Sequence, residues 1–242
     1  MPRLPLLFLH GAGGVSQVWQ HQLLAFPTAK AADLPGRGGP PLPAGRSTVD
    51  AYLAAVRARA VGRAPRVLVG HSLGAAIALA WAAAAPDEVQ GLALLGLCER
   101  LPVPAAVWEA LRSGDPRQRE RLTRWWFGPT ASARLREKAR AALAAMPREV
   151  LLADFGAAAR FDASAALDRL ATLPAASRIP ALLLIGEADA LTPPDCARRL
   201  HARLPASSLV VVQDAGHLAM LEQPRAVNAA LRAFVDGLEA AA

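Results

Sequence analysis

Val67-Leu68-Val69-Gly70-His71-Ser72-Leu73-Gly74-Ala75-Ala76 is the stretch on which the reading of this chain turns. An apolar run leads into Gly-x-Ser-x-Gly and then into an alanine-rich segment: a strand, a tight turn and a helix. A serine on such a turn is held away from the backbone with its hydroxyl exposed. The flanking glycines let the chain turn where a Cβ would clash. The helix behind the serine brings free N–H groups and the positive end of its dipole to the place where negative charge would develop. Ser72 is therefore a candidate nucleophile. The rest of the chain has to supply a base, an acid and a second hydrogen-bond donor.

Working outward, apolar runs predict strands at residues 6–9, 66–69, 91–97, 179–186 and 208–212, with a weaker one at 28–32. Helical spacing predicts a short helix or turn at 15–25 and helices from Ser47 or Thr48 to about Val61, at 72–84, 193–204 and 223–238. Strands alternating with helices imply an α/β fold, a parallel sheet of about six strands covered on both faces. Residues 99–178 break the alternation. Helical segments are expected there at 103–113, 116–127, 132–145, 147–158 and 164–172, together with Trp108, Trp125, Trp126, Phe127, Phe155 and Phe161. An all-helical insertion at that point would lie over the C-terminal edge of the sheet, where ligands bind. The expected organisation is a core of residues 1–98 and 179–242 with a helical cap at 99–178.

Parallel strands all point the same way, so the loops after them share one edge. Gly186-Glu187-Ala188-Asp189 follows one strand, Asp214-Ala215-Gly216-His217 follows the last, and His10-Gly11-Ala12-Gly13-Gly14 follows the first. Serine, acid and histidine in that chain order can form a nucleophile, a base and an orienting carboxylate. Glu187, Asp195 and Asp214 lie near Asp189 in sequence, and Glu99 follows the strand at 91–97, so Asp189 has competitors for the acid's place.

Composition narrows the function classes. The chain has 242 residues, 53% of them hydrophobic, enough for a sizeable core. The formal charge is +7, nearly all from arginine, since Lys30 and Lys138 are the lysines. No nucleic-acid motif or basic–aromatic interleaving accompanies it, so neither a nucleic acid nor a membrane is expected as partner. Residues 1–9 imitate a leader only faintly, and a cytoplasmic protein is expected. Cys98 and Cys196 lie far apart without metal spacing and read as free thiols in a reducing compartment. No cofactor and no metal is expected.

Leu9-His10-Gly11, Asp33-Leu34-Pro35-Gly36-Arg37-Gly38, Gly70-His71-Ser72-Leu73-Gly74, Gly186-Glu187-Ala188-Asp189 and Gly216-His217 together resemble the α/β-hydrolase superfamily, in particular its capped serine hydrolases of the carboxylesterase kind. The resemblance covers almost the whole chain. It implies Ser72 as nucleophile, His217 as base, Asp189 as the acid that orients His217, and the backbone N–H groups of Leu73 and Ala12 as oxyanion donors; because some members place the acid after the strand that Glu99 follows, it also makes Glu99 the alternative acid. The family usually begins with an antiparallel strand pair, which is expected to be missing here. Members that cleave carbon–carbon bonds in aromatic ring-fission products often have tryptophan after the histidine, where this chain has Leu218, and members of the perhydrolase-like branch have methionine and an aromatic where it has Leu73 and Ala12.

The expectation is a hydrolase acting on carboxylic esters of small, mostly apolar substrates, as a monomer or homodimer. Trp108, Trp125, Trp126 and Phe127 are expected to bind the substrate. Thioester, lactone or C–C hydrolysis on the same triad is the alternative, and a non-catalytic receptor a further one.

Overall fold

A computed structural model describes residues 4–60 and 66–241. The expected end of one helix at Val61 lies outside the described residues. In chain order the elements are β1 (Leu6–Leu9), α1 (Gln20–Ala25), β2 (Lys30–Ala32), α2 (Val49–Arg59), β3 (Arg66–His71), α3 (Leu73–Ala84) and β4 (Val89–Leu95). Then come α4 (Ala105–Ser113), α5 (Pro116–Glu120), α6 (Ala133–Ala145), α7 (Arg148–Arg160) and α8 (Ser164–Ala171). The chain closes with β5 (Ala181–Gly186), α9 (Pro194–Arg203), β6 (Ser207–Val212), α10 (Ala219–Glu222) and α11 (Pro224–Ala241).

The six strands form one sheet in the order β2-β1-β3-β4-β5-β6, every neighbouring pair parallel. β3 and β5 are buried at every position, which is why Val67-Leu68-Val69 in the one and Ala181-Leu182-Leu183-Leu184-Ile185 in the other run apolar without polar alternation. Helices cover both faces. On one side α2, α3 and α8 bury Tyr52, Ile77, Trp81 and Leu167 against Leu9, Leu68 and Leu92. On the other, Trp19 and α11, through Val227, Leu231 and Val235, pack on Phe8, Val67, Val69 and Leu184. Thr48 caps α2, its side chain accepting from Ala51 N–H at 3.2 Å.

The register places the strand ends together: Leu9 pairs with Gly70, Gly70 with Leu94, Leu95 with Leu184, and Gly186 with Val212. The loops that carry Ala12, Ser72, Asp189 and His217 therefore leave from one edge. Between β4 and β5 the chain forms α4 to α8, with a small core of its own from Val107, Leu111, Leu122, Leu143 and Leu151. No helix among the described residues is long and apolar enough to cross a membrane.

One expectation is corrected. Cys98 and Cys196 are not free thiols but a disulfide, with Cα atoms 4.7 Å apart. Cys98 lies just beyond β4 and Cys196 in the first turn of α9. The fold brings these two places together at a spacing that a disulfide spans, across a separation of 98 residues.

Candidate active site

Ser72 sits at the junction of β3 and α3 with φ 52° and ψ −116°. A non-glycine residue in this region costs on the order of 1–3 kcal/mol and persists only where the surroundings enforce it. Those surroundings are Gly70 and Gly74. Neither has a positive φ; both are needed for clearance. A Cβ on Gly74 would lie 2.2 Å from Leu9 O, and one on Gly70 2.4 Å from Gly74 O. The glycines let α3 press against β1 and β3, and Ser72 takes up the strain of the turn. Its N–H donates to Leu95 O at 2.8 Å, which ties the turn to β4.

His217 is buried, 7% exposed. Its Nδ1–H donates to Asp189 Oδ2 at 2.8 Å. A carboxylate only accepts, so in the neutral ring the free lone pair is on Nε2, which leaves that nitrogen able to accept a proton. Asp189 is 3% exposed and its carboxylate is well supplied. Oδ1 accepts from Leu191 N–H at 2.9 Å and Thr192 N–H at 2.8 Å, and Oδ2 also accepts from Thr192 Oγ1 at 2.6 Å. Burial alone would raise its pKa. The charge on His217 and the hydrogen bonds from His217 and Thr192 outweigh burial and hold it below the ordinary value.

Glu99, the alternative acid, is paired with Arg203 at 3.0 Å and lies 3.9 Å from Arg199. It borders a cleft of about 440 Å³ lined by Cys98, Arg100, Asp162, Leu191 and Arg199, which includes neither Ser72 nor His217.

His71 supports the histidine loop from below. Its Nε2–H donates to His217 O at 2.8 Å, and the two rings lie 4.6 Å apart. Burial, then the neighbouring His217 charge, push its pKa down to about 3. His10 is equally buried: Nδ1–H donates to Gly11 O at 2.9 Å, and Nε2 accepts from Leu34 N–H at 3.1 Å. Burial, then Arg37, lower its pKa to about 4. Both rings are neutral braces, one for each side of the site.

The loop after β1 that carries Ala12 is a tight turn, Gly14 N–H donating to Gly11 O at 3.1 Å. Ala12 is half-buried within it, and Leu73 heads α3 with its side chain fully buried. Among the described residues, Ser72 Oγ makes no hydrogen bond to His217. Bonds of this kind are often long before substrate binds.

The four aromatics take different places. Trp108, Trp125 and Trp126 are half-exposed around the small core of the helical stretch. Phe127 instead joins the core beneath the sheet and backs Gly216, where a Cβ would meet its main chain at 2.5 Å. The Glu222 carboxylate holds this contact, accepting from Gly128 N–H at 2.7 Å and Gly216 N–H at 3.0 Å. The residues that sequence reasoning missed are such supports: Thr192, Glu222, Tyr52 and Asp154. Among the described residues no group of three or more His, Cys, Asp or Glu could hold a metal ion.

This geometry can be set beside known proteins. The sequence profile of the Alpha/beta hydrolase family matches residues 6–230. The chain belongs to that family. It is similar to the pimeloyl-[acyl-carrier protein] methyl ester esterase of Neisseria meningitidis serogroup B, at 30% identity over 95% of this chain and 92% of that one. It is also similar to the putative non-heme bromoperoxidase BpoC of Mycobacterium tuberculosis, at 28% identity over 98% and 95% of the two chains. Among solved structures, a thermophilic esterase from Thermogutta terrifontis with malate bound superposes with TM-score 0.81 at 26% identity, covering 97% of this chain and 90% of that one. The chain is a hydrolase of this family, of the esterase-like kind.

Proposed function

We propose that the protein is a serine hydrolase cleaving carboxylic esters through an acyl-enzyme. The observation that carries the reading is the 2.8 Å bond between His217 Nδ1 and a buried Asp189, at the same sheet edge as the strained Ser72. Ser72 Oγ attacks the ester carbonyl carbon while His217 Nε2 takes its proton. Asp189 fixes the tautomer and stabilises the imidazolium. The N–H groups of Leu73 and Ala12 stabilise the tetrahedral oxyanion; in another hydrolase, losing one such donor costs roughly 3 kcal/mol. The oxyanion collapses, the alcohol leaves with the proton from His217, and water enters by the reverse of this path to release the acid.

In this reading residues 99–178 act as the cap. Two contacts support that: α6 and α7 bring Leu143 and Leu151 onto Gly13 of the oxyanion loop, and Phe127 backs Gly216 beside the histidine. Trp108, Trp125 and Trp126 keep exposed surface for a small, mostly apolar substrate, whereas Phe127 supports the site from the core. A screen of p-nitrophenyl esters of rising chain length, with Ser72→Ala as control, tests the proposal. A short-chain optimum is expected. A long-chain optimum contradicts the expectation of a small substrate, and activity in the alanine variant contradicts the mechanism.

The proposed location is the cytoplasm, although the Cys98–Cys196 bridge removes the support that free thiols gave it. Fractionation of expressing cells tests it: recovery with the cytoplasmic fraction supports the location, and recovery from an oxidising compartment contradicts it.

A further inference from the structure

We infer that Asp154, on α7, is a positioning residue for the oxyanion donor at Ala12; the inference rests on the serine-hydrolase reading above. Asp154 is completely buried, in a helix whose neighbouring residues Leu151, Ala153, Ala157 and Ala158 are core. A carboxylate there is costly unless it is fully bonded. It is. Oδ2 accepts from Gly13 N–H at 2.8 Å and from Arg37 Nη2 at 2.5 Å, and Oδ1 from Arg37 Nη1 at 3.1 Å and Tyr52 OH at 2.5 Å. Two oxygens meet four donors, with Arg37 bound in the forked geometry that also fixes direction.

These bonds converge on the oxyanion turn. Asp154 holds the peptide N–H just after Ala12. Arg37, itself held by Asp154, donates through Nε to Gly14 O at 2.9 Å and through Nη1 to Pro35 O at 3.0 Å. The turn is closed on its other side by Gly14 N–H to Gly11 O. With the following peptide pinned and both ends of the turn fixed, the Ala12 N–H has one direction in which to point. Gly13 has φ +68°, and Leu143 and Leu151 lie 3.0 and 3.1 Å from where a Cβ would stand, so the loop cannot shift toward the helices.

A purely structural role would not require a charge. An apolar side chain of similar volume holds a helix in place as well as a buried ion pair, and often better. What a carboxylate adds is orientation of the N–H donors around it.

The test is Asp154→Asn, which keeps the shape but turns one oxygen into a donor facing either Gly13 N–H or Arg37. On a short p-nitrophenyl ester, kcat is expected to fall about 10- to 100-fold, less than or equal to the loss of a whole oxyanion donor, with KM within about threefold. Affinity for an alkylboronic acid, which forms a tetrahedral adduct on serine, should fall in step with kcat/KM, while binding of the carboxylic acid product stays the same. An unchanged kcat with a lowered Tm overturns the inference, as does a rise in KM alone.

Should the asparagine variant not fold, Tyr52→Phe decides. It leaves the Gly13 and Arg37 bonds in place and is expected to lower kcat about threefold through a looser carboxylate; unchanged kcat overturns the inference. A wild-type protein with neither esterase activity nor boronate binding overturns the serine-hydrolase reading itself, and the inference with it.

Discussion

Asp189→Asn separates the acid assignment from its rival with a change of almost no volume. Oδ1 accepts two backbone N–H groups, from Leu191 at 2.9 Å and Thr192 at 2.8 Å. Those donors decide how an amide would sit: its oxygen takes the Oδ1 position and its NH2 faces Thr192 Oγ1 and His217 Nδ1. A donor at that point makes Nδ1 the acceptor and leaves the ring proton on Nε2. His217 then has no lone pair for the proton of Ser72. In another hydrolase with this triad the same change left the geometry intact and lowered kcat about 10⁴-fold, equivalent to about 5.4 kcal/mol at 1.36 kcal/mol per tenfold. The expectation here is a similar loss of kcat/KM on p-nitrophenyl acetate near neutral pH. Glu99→Gln is the matched control. Glu99 is engaged with Arg203 at 3.0 Å, so that variant should keep its activity within about twofold, as surface ion pairs contribute little. If the asparagine variant keeps more than a tenth of the activity, or the Glu99 variant loses as much, the assignment of the acid is wrong.

Three further outcomes follow from the same contacts. His10 and His71 are held neutral, with pKa values of about 4 and about 3 against 6.5 for the unfolded chain. Below pH 6.5 the unfolded state binds two protons that the folded state refuses, so stability falls with decreasing pH by up to about 2.7 kcal/mol per unit until about pH 4; urea midpoints that stay flat over this window contradict the buried neutral rings. Reducing the Cys98–Cys196 bridge releases a loop of 98 residues and should cost about 2–5 kcal/mol; an identical Tm with and without dithiothreitol argues against the pairing. Glu222→Gln places a donor against Gly128 or Gly216 N–H and should cost about 1–3 kcal/mol, and kcat should fall because the same contact holds the His217 loop; a variant matching the wild type in both Tm and kcat contradicts the role.

The parts of the site legible in the sequence are those written in short, local patterns. The strand–turn–helix around Ser72 announces itself because clearance at Gly70 and Gly74 admits no side chain. Asp189 and His217 are recognisable because each lies in the loop after an apolar strand, and parallel strands bring those loops to one edge. The helices between β4 and β5 fall within a few residues of their predicted places, since glycine and proline punctuate them; residues 116–127 differ, with α5 ending at Glu120 and a tighter 3₁₀ turn taking over from Arg121 to Trp125. The four-residue helix α10 was too short to leave a periodic signal.

What stayed hidden depends on partners far away in the chain. Asp154 meets Gly13 across 141 residues, and Glu222 meets Gly128 across 94; neither pair has a local mark. Asp154 did carry one clue, a lone acid inside Leu151-Leu152-Ala153-Asp154-Phe155-Gly156-Ala157-Ala158, where a charge with no neighbour of opposite sign has to find its partners elsewhere in the fold. The cysteines carried none. Their separation suggests independence until β4 and α9 are seen side by side. Phe127 read as a substrate-binding aromatic together with the others of residues 99–178, yet it packs into the core beneath Gly216.

The central claim is that Ser72 is an activated nucleophile, and covalent labelling tests it most directly. The folded protein treated with a fluorophosphonate and mapped by peptide mass spectrometry should carry one adduct per chain, on Ser72, through displacement of fluoride by Ser72 Oγ with His217 taking the proton. The adduct should be absent from Ser72→Ala, slowed by orders of magnitude in Asp189→Asn and lost when the protein is unfolded first. A folded protein that remains unlabelled at Ser72, or that is labelled equally in the alanine variant, contradicts the account.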